Sequence, residues 1–427
     1  VIIKNTTTGT QTDFDGKFTV TASNTDVLVF DYVGMKTIEK KVGSKTVISV
    51  TLMSDIEALD EVVVTGYATF AKETSSISST QITSSTIENR PNASSIQTLS
   101  GQVAGLRIAT SSGQPGANSL VQLRGVNSIN GNTEPLFLLD GVPVNEDNFR
   151  SLNPNEIESV SVLKDAAATS IYGSRGANGV IIITTKRGGY NAPLQVKYSA
   201  LLSYSDIQSN DYDLGSGQDN LRLERFYSEF TGIPTGRGGG QANSLFPGNN
   251  NISLTDEQIA QEANFDWLDF FFRTGITENH TLSLSSGSEK SSQYTSIGYF
   301  NQEGILKNSN LKRFNLRNNI DGKSESEKFQ YSTSVSLNYS KDNSLTSIGT
   351  NGVNQNPLFG AYSSLPYLIP EDNPGSRRLA EDFVLDYAPY YIMDKLATSD
   401  RLEEELKIVA NLTAKYDLLE TLSLNFS

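Results

Sequence analysis

Residue types able to do covalent chemistry are few in this chain, and their spacing disposes of most of it. Among 427 residues there is one histidine, His280, and no cysteine. A histidine-based triad, a multi-histidine zinc site, thiolate chemistry and disulfides therefore cannot be assembled from it. Carboxylates are plentiful, and Asp140, Glu158 and Asp165 fall in one stretch. A glycosidase needs two of them flanking one sugar bond. Here Asp140 opens a turn with Gly141 and Asp165 caps a short helix, which gives both a local reason to be present. Asp13-x-Asp15-Gly16 begins like a calcium loop but lacks the later ligands and the closing Glu, so it reads as a turn. Gly173-x-x-Gly176-x-x-Gly179 has phosphate-loop spacing. It runs into a strand at Val180 instead of opening a helix, and no Gly-Lys-Ser/Thr follows. His280 begins a strand and reads as a plain strand or rim residue. No catalytic residue, metal or cofactor is expected. What remains is main-chain chemistry. Asp60-Glu61-Val62-Val63-Val64-Thr65-Gly66-Tyr67 is a β-branched run with acids before it and glycine near its end. Such a run can add as a strand to a partner's sheet edge; taken alone, it reads equally well as one more strand of the domain before it.

The composition points to strands. Hydrophobic residues are 37% and charged residues 19%, both below the usual share of a cytosolic protein, while Tyr (18) and Phe (19) far outnumber Trp (1). The net charge of −14 argues against nucleic acid, whose binding rests on Lys and Arg. No run of 18 apolar residues exists, so no transmembrane helix is expected. A β-barrel would escape that scan, because its strands alternate. The chain opens inside a strand-like run, Val1-Ile2-Ile3, without a visible signal peptide, and stops inside another at Ser427. It reads as an internal piece of a longer precursor.

Four segments follow in order. Residues 1–53 read as a small β-sandwich of short strands, Val1–Lys4, Lys17–Ala22, Val27–Tyr32, Lys36–Lys41 and Val47–Met53. Residues 54–78 are a linker holding the Asp60–Tyr67 run and most of a flexible Ser/Thr tract. Residues 79–189 read as an α/β unit. Within it, Pro135–Asp140 is an apolar run stopped by Asp140-Gly141. Asn153 caps a helix start, with Pro154 at its first position and Glu156 closing a capping box. Val160 and Val162 alternate as in a strand, Ala166–Tyr172 is a short helix stopped by Gly173, and Val180–Lys186 is a β-branched strand. From 190 to 427 long amphipathic strands take over. Val196, Tyr198, Ala200, Leu202 and Tyr204 share one face. Phe329 to Tyr339 and Leu406 to Tyr416 repeat the alternation over 10 to 11 residues, the length of a tilted membrane-crossing strand. Thr281–Ser286, Tyr294–Asn301 and Phe314–Asp321 are weaker strands, and a last one starts at Leu422. Asn210–Phe265 and Ser344–Asp400 read as long loops.

Several of these motifs together resemble one family. Ser111-Ser112-Gly113-Gln114-Pro115-Gly116, Leu123-Arg124-Gly125, Asp140-Gly141-Val142-Pro143, Leu163-Lys164-Asp165-Ala166, Tyr172-Gly173-Ser174-Arg175-Gly176-Ala177-Asn178-Gly179 and Ile183-Thr184-Thr185-Lys186-Arg187-Gly188 occur in the order seen in the plug of SusC/RagA-type TonB-dependent outer-membrane transporters. Thr12-Asp13-x-Asp15-Gly16-x-Phe18 and Phe30-x-Tyr32-Val33-Gly34 resemble the carboxypeptidase-regulatory-like domain often found ahead of such plugs, with its first strand missing. Asp266-Trp267-Leu268-Asp269-Phe270-Phe271 resembles a signature before the second barrel strand. The resemblance implies a mainly β protein: the sandwich, a TonB box at Asp60–Tyr67, the plug, and the first strands of a transmembrane antiparallel β-barrel of about 22 strands. It implies import of a glycan, oligosaccharide or peptide across the outer membrane of a Gram-negative bacterium. The implied partners are a SusD-like surface lipoprotein as lid, a TonB-type periplasmic motor protein and outer-membrane lipid, in a dimer of transporter–lipoprotein pairs. The alternative is a SusC-like barrel acting as a structural or interaction subunit of an envelope assembly. Tyr362, Tyr367, Tyr390 and Tyr391 are candidates to stack on sugar rings or to pack against the lid.

Overall fold

The computed structural model describes all residues but 5, 7, 14–15, 32–36, 45, 53–61, 65–68, 72–78, 89, 91–93, 111, 126–132, 166–168, 209–213, 242–250, 346–355, 373–387, 399, 420–421 and 427. The chain divides into two compact units, Val1–Ser76 and Ile77–Ser427.

In the first unit β1 (Ile2–Ile3), β2 (Val27–Phe30) and β3 (Ile38–Lys41) form an antiparallel sheet in that order. Ile3, Leu28, Phe30 and Val42 are its core, and Phe18, Val20, Ala22, Ile48, Val50 and Leu52 pack on it. These last six alternate along the chain as strand residues do. Of the five expected strands, Lys17–Ala22 and Val47–Met53 bury one side in this way without joining a ladder among the described residues. The Asp13 turn is closed by Gly16 N donating to Asp13 O at 3.0 Å and Lys17 N to the Asp13 carboxylate at 2.7 Å; Asp15 lies outside the described residues. β4 (Val62–Val64) pairs antiparallel with β5 (Thr69–Ala71).

The second unit begins with β6 (Ser79–Thr83) and α1 (Ser84–Ile87), then β7 (Leu106–Thr110) and β8 (Ser119–Leu123), which pair with each other. β9 (Leu136–Leu139) and β10 (Val142–Val144) form a hairpin whose two turn residues, Asp140 and Gly141, have φ of 47° and 88°. A two-residue hairpin needs this left-handed pair to match the strand twist, and Asp-Gly tolerates it. After α2 (Glu146–Arg150) come β11 (Ile157–Leu163) and β12 (Val180–Thr185). The sheet order is β10-β9-β12-β11-β6, mixed, with β9 and β12 parallel. Its apolar runs are buried together with Ile87, Ile96, Leu99, Phe149 and Leu152. One local expectation changes and another stands. Asn153 does cap, accepting from Asn155 N at 3.0 Å, but Pro154–Glu156 is a single 3-10 turn and the Glu156 carboxylate points away from the cap, so no capping box forms. Gly173, at φ 57° and ψ −143°, breaks the segment Ser170–Gly176 into two helical pieces, as expected of a stop; Ala166–Ala168 lie outside the described residues.

β13 (Gln195–Ser205), β14 (Gly275–Gly287), β15 (Ser291–Glu303), β16 (Asn310–Lys323), β17 (Phe329–Leu345), β18 (Asp400–Leu419) and β19 (Leu422–Phe426) make a seven-stranded antiparallel sheet in sequence order. Its edges, β13 and β19, are not paired with each other. β14, β15 and β16 are several residues longer than expected, because the buried positions extending them are Thr277, Asn279, Ser292 and Arg313, which carry no apolar signal. The pattern inverts that of a soluble sheet. Val196, Tyr198, Leu202, Ile297, Leu316 and Ile408 are exposed, whereas Ser296, Asn315, Arg317, Asn319 and Ser336 are buried. Links at one end are tight turns, at 288–290 and 324–328; at the other they include the spans 206–274 and 346–399. These two spans, expected as loops, hold α3 (Gly217–Thr231), α4 (Asp256–Gln261), α5 (Trp267–Phe271), α6 (Pro357–Ser363) and α7 (Ala388–Thr398) around a core of Leu221, Trp267, Phe271, Tyr390 and Ile392. α3 and α4 start with capping boxes, Ser216/Asp219 and Thr255/Gln258, and Gly232 ends α3 in the left-handed conformation.

Within the α/β unit Gly179 packs between β8 and β11 at φ 91°, where a Cβ would lie 2.2 Å from Leu123 Cδ2 and 3.2 Å from Leu163 O. Gly179→Ala is expected to destabilise the full-length protein by about 2–4 kcal/mol, left-handed strain and overpacking together. Urea unfolding followed by proteolysis of the α/β unit measures it, and an unchanged midpoint would contradict this packing.

Candidate functional site

The site is built where the α/β unit meets the inner face of the wall. At its centre is Arg317 of β16, with no solvent exposure. A guanidinium cannot lose its proton, so it must be neutralised in place. Its Nε donates to Glu156 at 3.0 Å, and its Nη1 lies 3.6 Å from Asp140. Both carboxylates are almost fully buried. Glu156 also accepts from Ser296 at 3.0 Å. Asp140 accepts from Thr185 N at 3.0 Å, Thr185 Oγ1 at 2.7 Å and Ser334 Oγ at 3.1 Å. The left-handed hairpin tip thus aims one carboxylate at the wall, and the Asn153-Pro154 turn aims the other.

Neutral contacts extend this seam. Asn153 and Asn155 donate to Thr281 at 2.9 and 3.2 Å, and Asn315 donates to Ser151 O at 3.1 Å. Asn319 donates to Thr185 and to Lys186 O, and Asn411 to Asp140 O. Arg187 pairs with Asp321 at 2.5 Å. Gly298 leaves room for the approach: a Cβ there would lie 2.5 Å from Asn153 Nδ2. Every wall residue in this seam is polar or small, which is why the strands look polar on one face.

Beside the seam, toward the long connections, opens a cavity of about 1100 Å³. The Ser112–Gly116 turn forms its floor, held where Arg150 donates to Gly116 O. Phe272, Leu306, Leu311 and Leu358 line it together with Asp342, Glu403, Glu405, Arg313 and Lys407. Glu146, one residue before the lining Asp147, has its carboxyl pushed above the usual range by burial, with the Arg150 charge opposing. The cavity has apolar and ionic walls of both signs, suited to holding a solute larger than a single metabolite.

The motif residues divide into groups. Arg124 (φ 59°) ion-pairs with Asp165, while Gly125 sits beside it at φ 92°. Asp140 and Gly141 belong to the seam described above. Lys164 is half-buried at the end of β11; Tyr172 is half-buried and Gly173 and Arg175 are exposed on the kinked 3-10 segment. Of the Asp60–Tyr67 run, Val62–Val64 is extended in β4, and Asp60, Glu61, Thr65, Gly66 and Tyr67 lie outside the described residues. His280 stands mid-strand in β14 and shares a 2.8 Å hydrogen bond with Tyr198 on the outward face. Of the four tyrosines, Tyr367 and Tyr390 are buried, Tyr367 donating to Glu224 at 2.6 Å and Tyr390 to Ile369 O at 2.9 Å; Tyr362 and Tyr391 are half-buried, and none of the four lines the cavity. Arg317 is a seam residue that the sequence does not single out, and Glu156 is one that it offers only as a capping residue. Their only signals are a charged residue inside an alternating strand and an acid after Asn-Pro.

Comparison with known proteins agrees with this architecture. Residues 71–180 match the model of the TonB-dependent Receptor Plug Domain, and residues 1–64 that of the CarboxypepD_reg-like domain. Over 323 residues the chain is 39% identical to TonB-dependent receptor P26 of Formosa agariphila, covering 75% of this chain and 31% of that protein. Over 327 residues it is 34% identical to TonB-dependent receptor SusC of Bacteroides thetaiotaomicron, covering 75% and 30%. The chain therefore spans about a third of the length of the curated relatives it matches. The solved RagAB peptide importer in its open-open state is similar at TM-score 0.69 and 28% identity, over 86% of this chain and 41% of that one.

Removing Arg317 leaves two buried carboxylates without their cation. Arg317→Ala in the full-length protein is expected to cost about 3–5 kcal/mol and to loosen the plug, whereas replacing Arg317, Glu156 and Asp140 together by apolar residues costs less. Limited proteolysis of the plug in the refolded protein reads this; equal protection in wild type and Arg317→Ala would refute the seam's role.

Proposed function

We infer the function from one premise: this chain belongs to the SusC/RagA-type TonB-dependent receptors. On that premise the whole protein imports a bulky nutrient across the outer membrane of a Gram-negative bacterium, as a glycan, oligosaccharide or peptide. A SusD-like surface lipoprotein closes the outer mouth and a TonB-type periplasmic motor protein supplies the work. The observation that carries this reading is the seam. A folded unit held against a polar wall by Arg317, Glu156 and Asp140 blocks the way through, and the cavity lies on its long-connection side. Long connections face outward and tight turns face the periplasm in such barrels. A solute captured in the cavity then needs the blocking unit displaced, and that requires a pull from the other side.

We assign residues 1–53 to the carboxypeptidase-regulatory-like sandwich, 54–78 to the linker, 79–189 to the plug and 190–427 to the first part of the barrel. Asp60–Tyr67 is the TonB box. Its extended backbone at Val62–Val64, paired among the described residues with Thr69–Ala71 of β5, supports this role. A partner strand can replace β5 along the same ladder, so gripping exchanges one set of main-chain hydrogen bonds for another. RagAB is a peptide importer, and the mixed-charge cavity walls of the present chain accept a peptide at least as readily as a sugar.

Val63→Pro removes a backbone donor from the ladder that the motor would use. Uptake by cells carrying this variant is expected to fall at least about ten-fold, with ligand binding unchanged. Normal uptake would remove the assignment of the box. Wild-type uptake that persists without the inner-membrane motor would favour the structural-subunit alternative.

A further inference from the structure

The outward face of the wall holds a feature that solute transport does not use. In ladder register, His280, Tyr299, Phe314, Tyr339 and Leu406 stand side by side from β14 to β18. The Tyr299 and Phe314 rings lie 5.0 Å apart. Toward the tight turns, Phe329 and Tyr331 form a second aromatic group with Tyr416 opposite Phe329. Tyr339 and Phe329 are ten residues apart on β17. At about 3.3 Å per residue and a tilt of about 40°, ten residues rise about 25 Å, the height of the apolar band of an outer-membrane barrel. Leu282, Ile297, Leu316 and Ile408 are exposed between the two aromatic groups. The two groups therefore mark the two membrane–water boundaries.

One outward position beyond the upper aromatic row, toward the long connections, the ladder reads Glu278, Asn301, Lys312, Lys341, Glu404. Lys312 and Lys341 are direct ladder partners, both exposed. Directly opposed side chains lie about 5 Å apart at Cβ, where like charges repel. Lys341 has Glu404 at 3.1 Å on its far side. Lys312 has Asn301 on its other side, and among the described residues no carboxylate pairs with it. The outward acids nearest in register are Glu303, which is paired with Arg273, and Glu278, two strands away. The row is neutral overall, but its two positive charges stand side by side between the outer acids, and Lys312 has no carboxylate partner among the described residues, at the foot of the outer leaflet's headgroups and immediately above an aromatic and aliphatic surface.

We propose that Lys312 and Lys341 bind the phosphate of an outer-leaflet phosphoglycolipid whose acyl chains lie on Phe314, Leu316 and Leu337. A phosphate offers several acceptor oxygens to two ammonium groups and relieves their repulsion. The attraction is strengthened where hydrocarbon lowers the local dielectric. A free anion would use the lysines but not the apolar rows beneath them; a lipid uses both. The site rests on the transmembrane reading of the wall.

The experiment uses the full-length protein, wild type and Lys312→Gln/Lys341→Gln, each reconstituted in liposomes and then solubilised. Bisphosphorylated lipid A, its dephosphorylated counterpart and inorganic phosphate are the probes, and bound lipid is counted by native mass spectrometry. Wild type should retain the phosphorylated lipid at least about ten-fold better than the double variant and ten-fold better than the dephosphorylated lipid. Lys312→Arg/Lys341→Arg should keep it. Equal retention in wild type and the glutamine variant overturns the site. Displacement of the lipid by millimolar inorganic phosphate means an anion site without lipid specificity, which also overturns it. Heat-modifiable migration after reconstitution is scored separately. If both proteins insert and bind alike, the lysines are wrong; if neither inserts, the transmembrane reading fails as well.

Discussion

A charge that cannot be discharged sits at the centre of this structure. Arg317 is buried between the sheet and the unit it holds, and everything nearby is arranged to neutralise it. Glu156 reaches it because Asn153 and Pro154 force a single tight turn before β11. Asp140 reaches it because the hairpin tip adopts a left-handed backbone that turns its carboxylate toward the wall. A buried ion triad is a weak source of net stability, since desolvation offsets much of the attraction. It does set register, because any slip of the plug leaves one of the three charges unpaired in a dry place. The hydrogen bonds of Asn153, Asn315, Asn319 and Asn411 then lock a position that the charges have chosen.

The wall answers to two environments at once. A strand has two faces, and here the apolar one is exposed while the polar one is packed. Val409 is an inward exception that packs against the plug core. Polar packing needs partners at every position, and the plug supplies them largely from backbone carbonyls and short amide side chains. Apart from Val409, the plug's own core of Phe149, Ile157, Val160 and Ile183 is buried behind that polar skin.

How much of this is legible in the sequence depends on distance along the chain. Asp140-Gly141 and the Asn153 cap are readable because their causes lie within three residues. The long strands are readable wherever outward residues are aromatic or aliphatic, as at Val196–Tyr204. They are cut short where inward Thr277, Asn279 and Arg313 break the contrast. Glu156 reads as a capping residue because its true partner is 161 residues away. The helices of the long connections do leave local signals in Ser216/Asp219 and Thr255/Gln258, but their polar composition reads as loop. Tyr367 and Tyr390 read as surface aromatics for the same reason; they belong to the core of those connections.

Gly298 has a consequence for how such proteins can diverge. Its missing side chain is the space that Asn153 fills. The plug and the wall are therefore not interchangeable modules, although they are separate stretches of sequence. A plug grafted from a relative would arrive with its own bumps and hollows, and would seat only if the wall positions facing it, Thr281, Gly298, Asn315, Arg317 and Asn319, travelled with it. Sequence change is then free to accumulate in the long connections, no described residue of which belongs to that fitted seam, while plug and inner wall are inherited as one piece.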